Sequence, residues 1–183
     1  MTQPPQPPAI DVLIGAEEIA ERIDRLASEI AAIHPVDLLV VPILKGSFVF
    51  AADLIRALHR RGLHPEIDFL MLASYGAGAR SSGRIEVKRD IEVAVEGRDV
   101  LLVDDILDTG LTLAHAKAMI QSRRARRAAT CVLLDKPAAR AVAIEPDFTG
   151  FPCPDVFVVG YGMDFDHKYR ELPFIGRIMQ DSA

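Results

Sequence analysis

Residues 100–112 read VLLVDDILDTGLT, and this stretch decides the fold. It opens within a short apolar run, residues 99–103, which is typical of a strand buried on both faces of a parallel sheet. The strand brings an acidic pair, Asp104 and Asp105, to its carboxyl end, and a turn leads into a helix that begins near Thr112. Ligands of open parallel sheets bind at that edge, so the stretch predicts a site there.

Apolar patterns on both sides of this stretch predict alternating strands and helices. Strands are predicted at residues 37–44, 66–72, 99–103, 130–134 and 155–159, and helices at residues 15–33, 47–61 and 111–123. This alternation predicts an α/β fold with a mainly parallel sheet flanked by helices. We expect one domain over residues 1–183, in which the first helix and about the last 20 residues form a small cap, or hood, over one edge.

Length and composition limit the function classes. The 183 residues suffice for one compact domain and not for a catalytic domain joined to a separate nucleic-acid-binding one. Half of the residues are hydrophobic and the mean hydropathy is +0.19, which excludes wholesale disorder. A net charge of −5 argues against nucleic acid or an anionic membrane as the main partner. Any phosphate site must therefore be local.

The chain start and the cysteines predict a cytoplasmic protein. Residues 1–8 are polar with four prolines, unlike a signal peptide, and we expect a flexible tail over residues 1–10. No apolar run reaches the roughly 18 residues of a membrane helix, so no membrane partner is expected. Cys131 and Cys153 show no metal-ligand spacing and are interpreted as reduced, partly buried thiols.

The turn after the acidic pair suits a phosphate. A helix start offers unpaired N–H groups and a partial positive charge, Thr109 and Thr112 add hydroxyl donors, and Gly110 allows close backbone approach. One aspartate here is most simply a helix cap. Three carboxylates exceed what capping needs and would repel an anion, which favours binding of Mg²⁺ or of sugar hydroxyls.

Other known patterns share parts of this stretch but do not fit the chain. Asp-Thr-Gly at residues 108–110 occurs in aspartic proteases, which are all-β and usually have Ala or Ser where Leu111 stands. The run LLVDDI is similar to the start of a response-regulator receiver, yet too few residues follow it. The phosphate-loop pattern GxxxxGK[ST] occurs nowhere, and residues 76–81 only approximate GxGxxG.

The whole stretch resembles the phosphoribosyl diphosphate signature of type I phosphoribosyltransferases. Over nearly its full length the chain is similar to the 6-oxopurine branch, the hypoxanthine-guanine phosphoribosyltransferases. VPILKGSFVFAADL (41–54) resembles the pyrophosphate loop, SYGAGARSSGRIEVKRD (74–90) the flexible loop, and DKPAAR (135–140) with residues 146–176 the base-binding region. Asp104 departs from the branch, which usually has Glu there. The resemblance implies the type I phosphoribosyltransferase fold.

The resemblance also implies the reaction, which transfers 5-phosphoribosyl from phosphoribosyl diphosphate to hypoxanthine or guanine and gives IMP or GMP plus pyrophosphate. Asp104 and Asp105 would hold the ribose hydroxyls directly or through Mg²⁺, and Asp108 would be the base for the purine N7 proton. The 5′-phosphate would be bound by Asp108, Thr109, Gly110, Leu111 and Thr112.

Further roles come from the same resemblance. Pyrophosphate would be bound by Lys45, Gly46 and Arg170, with a cis peptide before Lys45 of which the sequence gives no direct sign. Ser74 and Tyr75 would head a flexible loop over residues 74–84 that closes over the reacting centre and excludes water. The 6-oxopurine would be bound by Lys136, Phe157, Val158 and Asp164, and Asp164 would also reach a second Mg²⁺.

The resemblance implies a homodimer or homotetramer, and one alternative function stays open. Residues 123–127 contain four arginines, which we interpret as a solvated helix end with cations favoured by its dipole. The alternative is a regulator of the same fold that senses nucleotides and binds RNA through these arginines. Lys136 and residues 157–164 favour the enzyme.

Overall fold

The computed structural model describes residues 9–74 and 85–179 of the 183-residue chain. Nearly all of the expected flexible loop and tail therefore lies outside the described residues. The strands are β1 (Ile10–Ile14), β2 (Leu39–Leu44), β3 (Glu66–Ile67), β4 (Leu70–Ser74), β5 (Ile85–Arg89), β6 (Asp99–Leu107), β7 (Arg127–Asp135), β8 (Phe148–Pro152), β9 (Val158–Val159) and β10 (Ile175–Ile178). The helices are α1 (Ala16–Ala32), α2 (Phe48–Arg60) and α3 (Leu111–Ser122), and Pro137–Ala139 form a 3₁₀ turn.

The main sheet has the strand order β5-β4-β2-β6-β7-β8, with β3 beside β2. Only β4 and β5 pair antiparallel; the other neighbours are parallel. Residues of α1 and α2 share one apolar core with the sheet, and α3 shares the other. The predicted α/β fold with a mainly parallel, helix-flanked sheet is confirmed. No helix among the described residues is long and apolar enough to cross a membrane.

The central strands and the helices follow from the apolar patterns. Strand β2, LVVPIL, is buried along nearly its whole length, as a strand covered on both faces must be. In α1 the buried residues include Ile19, Ile23, Leu26 and Ile30, which form one stripe along the helix. That stripe packs into the core of the main sheet, so the expectation that the first helix belongs to the cap is wrong.

Several strand boundaries differ from the prediction for identifiable reasons. The predicted strand 66–72 divides into β3 and β4, because the Asp68 carboxylate accepts a bond from the next N–H and from Glu92 N at 2.6 Å. The predicted strand 155–159 shortens to β9, since Val156 N bonds back to Pro154 O in a tight turn. Strands β5 and β8 were not predicted.

The terminal segments form a small second sheet, in the order β1-β10-β9, as expected for the cap. Ile10 pairs with Ile178 and Val158 with Arg177, so the first and last strands of the described residues meet there. Because β1 already begins at Ile10, the tail expected over residues 1–10 does not include that residue. This sheet holds the hairpin that runs from residue 160 to residue 172.

Candidate functional site

Two adjoining cavities lie at the carboxyl end of the main sheet. An inner cavity of about 220 Å³ and an outer cavity of about 790 Å³ share a wall that includes Lys45, Gly46, Asp105 and Asp108. The inner cavity is further lined by Asp104, Thr109, Gly110 and Thr112, and the outer cavity by Lys136, Phe157, Val158, Asp164 and Arg170. The structure thus brings the three sequence-predicted aspartates and the turn to one place.

Strand β6 continues further than predicted and carries the acidic pair within it. It stays paired with β7 as far as Leu107, opposite Asp135, so Asp104 and Asp105 are strand residues rather than the loop that follows the strand. Gly110 has φ +84°, and a Cβ there would collide with the Ile144 side chain. The next residues start α3, whose first turn leaves N–H groups without intrahelical acceptors. The end of the inner cavity at this turn, beside Thr109 and Gly110, therefore suits an anion.

Asp104 and Asp105 form a desolvated carboxyl pair. Burial raises the pKa of Asp104 well above its ordinary value and the neighbouring Asp105 charge raises it further. Burial also raises the pKa of Asp105, and hydrogen bonds from the Asp104 side chain and the backbone, together with the charge of Arg170, oppose this rise. Among the described residues, no basic side chain forms an ion pair with either carboxylate. Asp104 is buried and Asp105 is partly buried, and a divalent cation or sugar hydroxyls would stabilise two such carboxylates that lack a basic partner.

The donor set fits Mg²⁺ bound partly by the protein and partly by water or substrate oxygens. Within the described parts of the chain, no group of three or more His, Cys, Asp or Glu side chains could hold a metal ion alone. Mg²⁺ commonly uses one or two carboxylates together with substrate phosphates, and an Asp104–Asp105 pair supplies that number. Asp164 lines only the outer cavity and offers a separate position.

The turn after β2 packs tightly against Asp105. The Leu44–Lys45 peptide is cis, Lys45 is exposed, and Gly46 approaches Asp105 so closely that a Cβ on Gly46 would overlap the carboxylate. Ser47 is buried and its hydroxyl donates to Ile43 O at 2.6 Å, which ties the turn to the strand. Only glycine fits at residue 46 while Asp105 keeps its place.

A hairpin from the small sheet closes the outer cavity. Arg170 pairs with Asp164 at 2.6 Å and donates to Gly162 O at 2.6 Å. Gly162 has φ +101°, and its Cα lies so near Gly46 O that a side chain would not fit. The hairpin is thereby seated on the Lys45–Gly46 turn, which places the guanidinium of Arg170 in the same cavity as the Lys45 ammonium.

Lys136 and Phe157 lie on the other side of the outer cavity. Lys136 is 9% exposed, and its Nζ lies 3.7 Å from Asp155 Oδ1. Phe157 is 56% exposed, so its ring is not a core side chain, and it meets Phe165 edge to face at 5.6 Å. Val158 is buried at the start of β9. An apolar face beside a held cation suits a flat heteroaromatic ring with an acceptor oxygen.

Some predicted residues lie off the cavities or outside the description. Leu111 begins α3 but lines neither cavity; its N–H faces Thr109 Oγ1 at 3.5 Å. The backbone of Ser74 ends β4 opposite Ile85, and Tyr75 lies outside the described residues. The sequence reasoning missed cavity residues Ile106, Met163 and His167. Of these, Ile106 could have been found, because it stands between Asp105 and Asp108.

The arginine cluster is largely paired within the chain. Arg123 pairs with Asp90 at 2.6 Å, Arg124 with Glu96 at 3.0 Å, and Arg126 with Asp99. These ion pairs neutralise three of the four cations that an RNA contact would need.

Comparisons with known proteins identify the family that the chain is similar to. A phosphoribosyl transferase domain model matches residues 12–166. A Bacillus subtilis hypoxanthine-guanine phosphoribosyltransferase is 41% identical over 166 residues, 90% of this chain and 91% of that protein. The Listeria innocua bifunctional protein TilS/HprT is 45% identical over 166 residues, and the match spans 90% of this chain but only 25% of that longer protein.

A solved structure shows the same fold. A Staphylococcus aureus hypoxanthine phosphoribosyltransferase has a TM-score of 0.87 with 38% identity, and the alignment covers 92% of this chain and 91% of that one. The domain model covers well over half of the sequence, and the Bacillus subtilis relative is matched over nearly its whole length. This chain therefore belongs to the phosphoribosyl transferase family.

Proposed function

We propose that this protein transfers 5-phosphoribosyl from phosphoribosyl diphosphate to hypoxanthine or guanine, giving IMP or GMP and pyrophosphate, as a purine salvage enzyme. The observation that carries the proposal is the wall shared by the two cavities, where Asp105 and Asp108 stand between an anion-suited turn and a pocket for a flat base. A sugar bound at that wall would have its phosphate in one cavity and its reacting carbon facing the other. The related proteins carry names of this activity.

Asp104 and Asp105 act on the ribose. Departure of pyrophosphate leaves positive charge on the sugar ring, and carboxylates beneath it stabilise that charge in a low-dielectric site. Mg²⁺, held by Asp104 and Asp105 with a second ion at Asp164, would neutralise the phosphate oxygens. The shorter side chain at Asp104, where the branch usually has Glu, keeps the charge. The N–H groups of residues 108–112 bind the 5′-phosphate.

Asp108 and Lys136 act on the base. Asp108 is exposed on the shared wall and takes the N7 proton as the new bond forms, a step commonly worth about 10²–10⁴-fold in rate. Lys136 donates to O6, and the exposed ring of Phe157 stacks on the purine. Backbone groups near Val158 and Asp164 would recognise the ring N–H groups.

Lys45, Gly46 and Arg170 receive the leaving pyrophosphate. The cationic side chains of Lys45 and Arg170 line the outer cavity together with Gly46. We also propose that residues 1–183 act as one domain, since strands from both ends pair, and that it forms a homodimer or homotetramer in the cytoplasm.

The test supplies phosphoribosyl diphosphate and Mg²⁺ with hypoxanthine, guanine, xanthine or adenine separately and measures nucleotide formed. We expect product with hypoxanthine or guanine, and far less with adenine, which has no O6 for Lys136. Equal use of adenine would contradict the Lys136 assignment. Salt-dependent RNA binding without base-dependent pyrophosphate release would instead support the regulator. Sedimentation of the purified protein tests the oligomer.

A further inference from the structure

A segment after β7 lies directly behind the turn that we assign to the 5′-phosphate. Arg140 Nη1 donates to Asp108 O at 3.1 Å, and Ala141 N donates to Thr109 O at 2.8 Å. One turn earlier, Lys136 N donates to Leu107 O at 3.0 Å. Three successive carbonyls of the turn, those of residues 107–109, therefore accept hydrogen bonds from this one segment.

These bonds fix which way the N–H groups of the turn point. In a trans peptide the carbonyl of one residue and the N–H of the next point in opposite directions. A carbonyl held at Asp108 thus turns the N–H of Thr109 away from Arg140, and a carbonyl held at Thr109 does the same for the N–H of Gly110. Both N–H groups then point away from residues 140–141, and residues 108–110 line the inner cavity.

Arg140 is itself held in place. Its guanidinium pairs with the Asp135 carboxylate, and the two side chains are 13% and 19% exposed. The aliphatic part of Arg140 also packs against Gly110, where a Cβ would lie 3.2 Å from its Cδ. Neither cavity is lined by Arg140, so it does not touch the proposed substrates.

We propose that Arg140 is a positioning residue that orients the phosphate-binding N–H groups of residues 109 and 110 through its bond to the Asp108 carbonyl. The inference rests on the proposed transferase function and adds to it a residue that acts only through the turn. A cation on that carbonyl also polarises the peptide and strengthens its N–H as a donor to phosphate. Arg140 therefore affects affinity for the phosphate of the substrate and not for its base.

The test compares IMP with inosine, which differ only by the 5′-phosphate. Inhibition constants of both are measured for the parent, for Arg140→Met and for Arg140→Lys, with kcat and the KM for phosphoribosyl diphosphate. Because Arg140→Met removes a charged hydrogen bond, we expect it to weaken the binding of IMP about tenfold and to change the inhibition constant of inosine less than twofold. Lysine cannot reach both of the acceptors that arginine bridges, so Arg140→Lys should restore only part of the difference.

Arg124→Met is the matched control, because Arg124 forms an exposed pair with Glu96 far from the turn. If Arg140→Met does not fold, Asp135→Asn takes its place. It removes the ion pair that holds Arg140 but leaves the bond to Asp108 O possible, so we expect the binding of IMP to weaken about threefold. The role of Arg140 is refuted if the parent is active and a folded Arg140→Met or Asp135→Asn variant keeps the parent's ratio of the inhibition constants for IMP and inosine. A parent that forms no nucleotide refutes the proposed function itself.

Discussion

Gly46→Ala tests whether the Asp105 carboxylate must lie where the structure has it. An ideal Cβ on residue 46 would lie 2.5 Å from Asp105 Cγ and closer still to Oδ2, well inside the 3.4 Å of an ordinary contact. The carboxyl group must therefore move by about 1–2 Å or rotate. The backbone at residue 46 resists such a shift, because Gly46 O is already packed against Gly162.

The expected loss follows from what Asp105 is proposed to hold. A hydrogen bond to a charged group contributes about 1.5–3 kcal/mol, so one lost contact to the ribose lowers kcat/KM for phosphoribosyl diphosphate about 10- to 100-fold. The assay is the initial rate of IMP formation at saturating hypoxanthine and Mg²⁺, over a range of phosphoribosyl diphosphate concentrations. Thermal melting of the same preparation shows that the variant is folded.

Gly15→Ala is the matched control for this substitution. Gly15 has φ −75°, which any residue adopts, and nothing lies within 4 Å of the position of its Cβ. The same added methyl group should leave kcat/KM within twofold of the parent. If a folded Gly46→Ala variant also stays within twofold, the position of the Asp105 carboxylate is not required for catalysis, and the assignment to the ribose is wrong.

Three further substitutions test the catalytic base, the hairpin and the fold. Asp108→Asn should keep the melting temperature yet lower kcat about 10²-fold or more, and an unchanged kcat would remove it as the base. Tyr161 donates to Asp53 on α2, so Tyr161→Phe should loosen the hairpin that carries Arg170 and raise the KM for pyrophosphate in the reverse reaction several-fold, with KM for IMP nearly unchanged. Burial raises the pKa of Asp68, but hydrogen bonds from the backbone N–H groups of residues 92, 69 and 93 outweigh this effect and hold the pKa below its ordinary value. Ionised Asp68 therefore stabilises the fold. This stabilisation is complete above the unfolded-state pKa of about 4 and is lost as the pH falls through the lower pKa of the folded state. Asp68→Asn should lower the melting temperature at pH 7 by about 4–8 °C, with a smaller difference in acid.

The fold could be predicted where a segment carries its own pattern. Strand β2 is a nearly continuous apolar run, as are the predicted parts of β6 and β7, residues 100–103 and 131–134. Helices α1 and α2 bury one stripe each, so burial in these segments follows from local sequence. Strand β5, IEVKR, is an edge strand without a fully buried residue, and its pairing depends on β4 rather than on its own pattern. Strands β1 and β10 come from opposite ends of the chain, which no local window connects.

The same contrast holds for the site. Asp104, Asp105 and Asp108 could be predicted because they lie in the last part of one strand or just after it, and strand ends of a parallel sheet converge. The supports of the site could not be predicted, because each joins distant parts of the chain. Tyr161 reaches Asp53 across 108 positions, and Arg140 reaches Asp108 across 32. An isolated arginine or tyrosine has no local signal that distinguishes such a role from a surface side chain.

The acidic pair connects the stability of the fold with its proposed chemistry. Burial raises the pKa of both Asp104 and Asp105, which means that ionising them is less favourable in the folded chain than in the unfolded one. Replacing such a pair by apolar residues would often stabilise a protein. In the proposed reaction, a cation and the positively charged sugar would offset this unfavourable interaction on binding. The affinity for the ligand and the unfavourable ionisation of Asp104 and Asp105 without ligand thus have one physical origin, which is their low-dielectric position beneath the proposed ribose site.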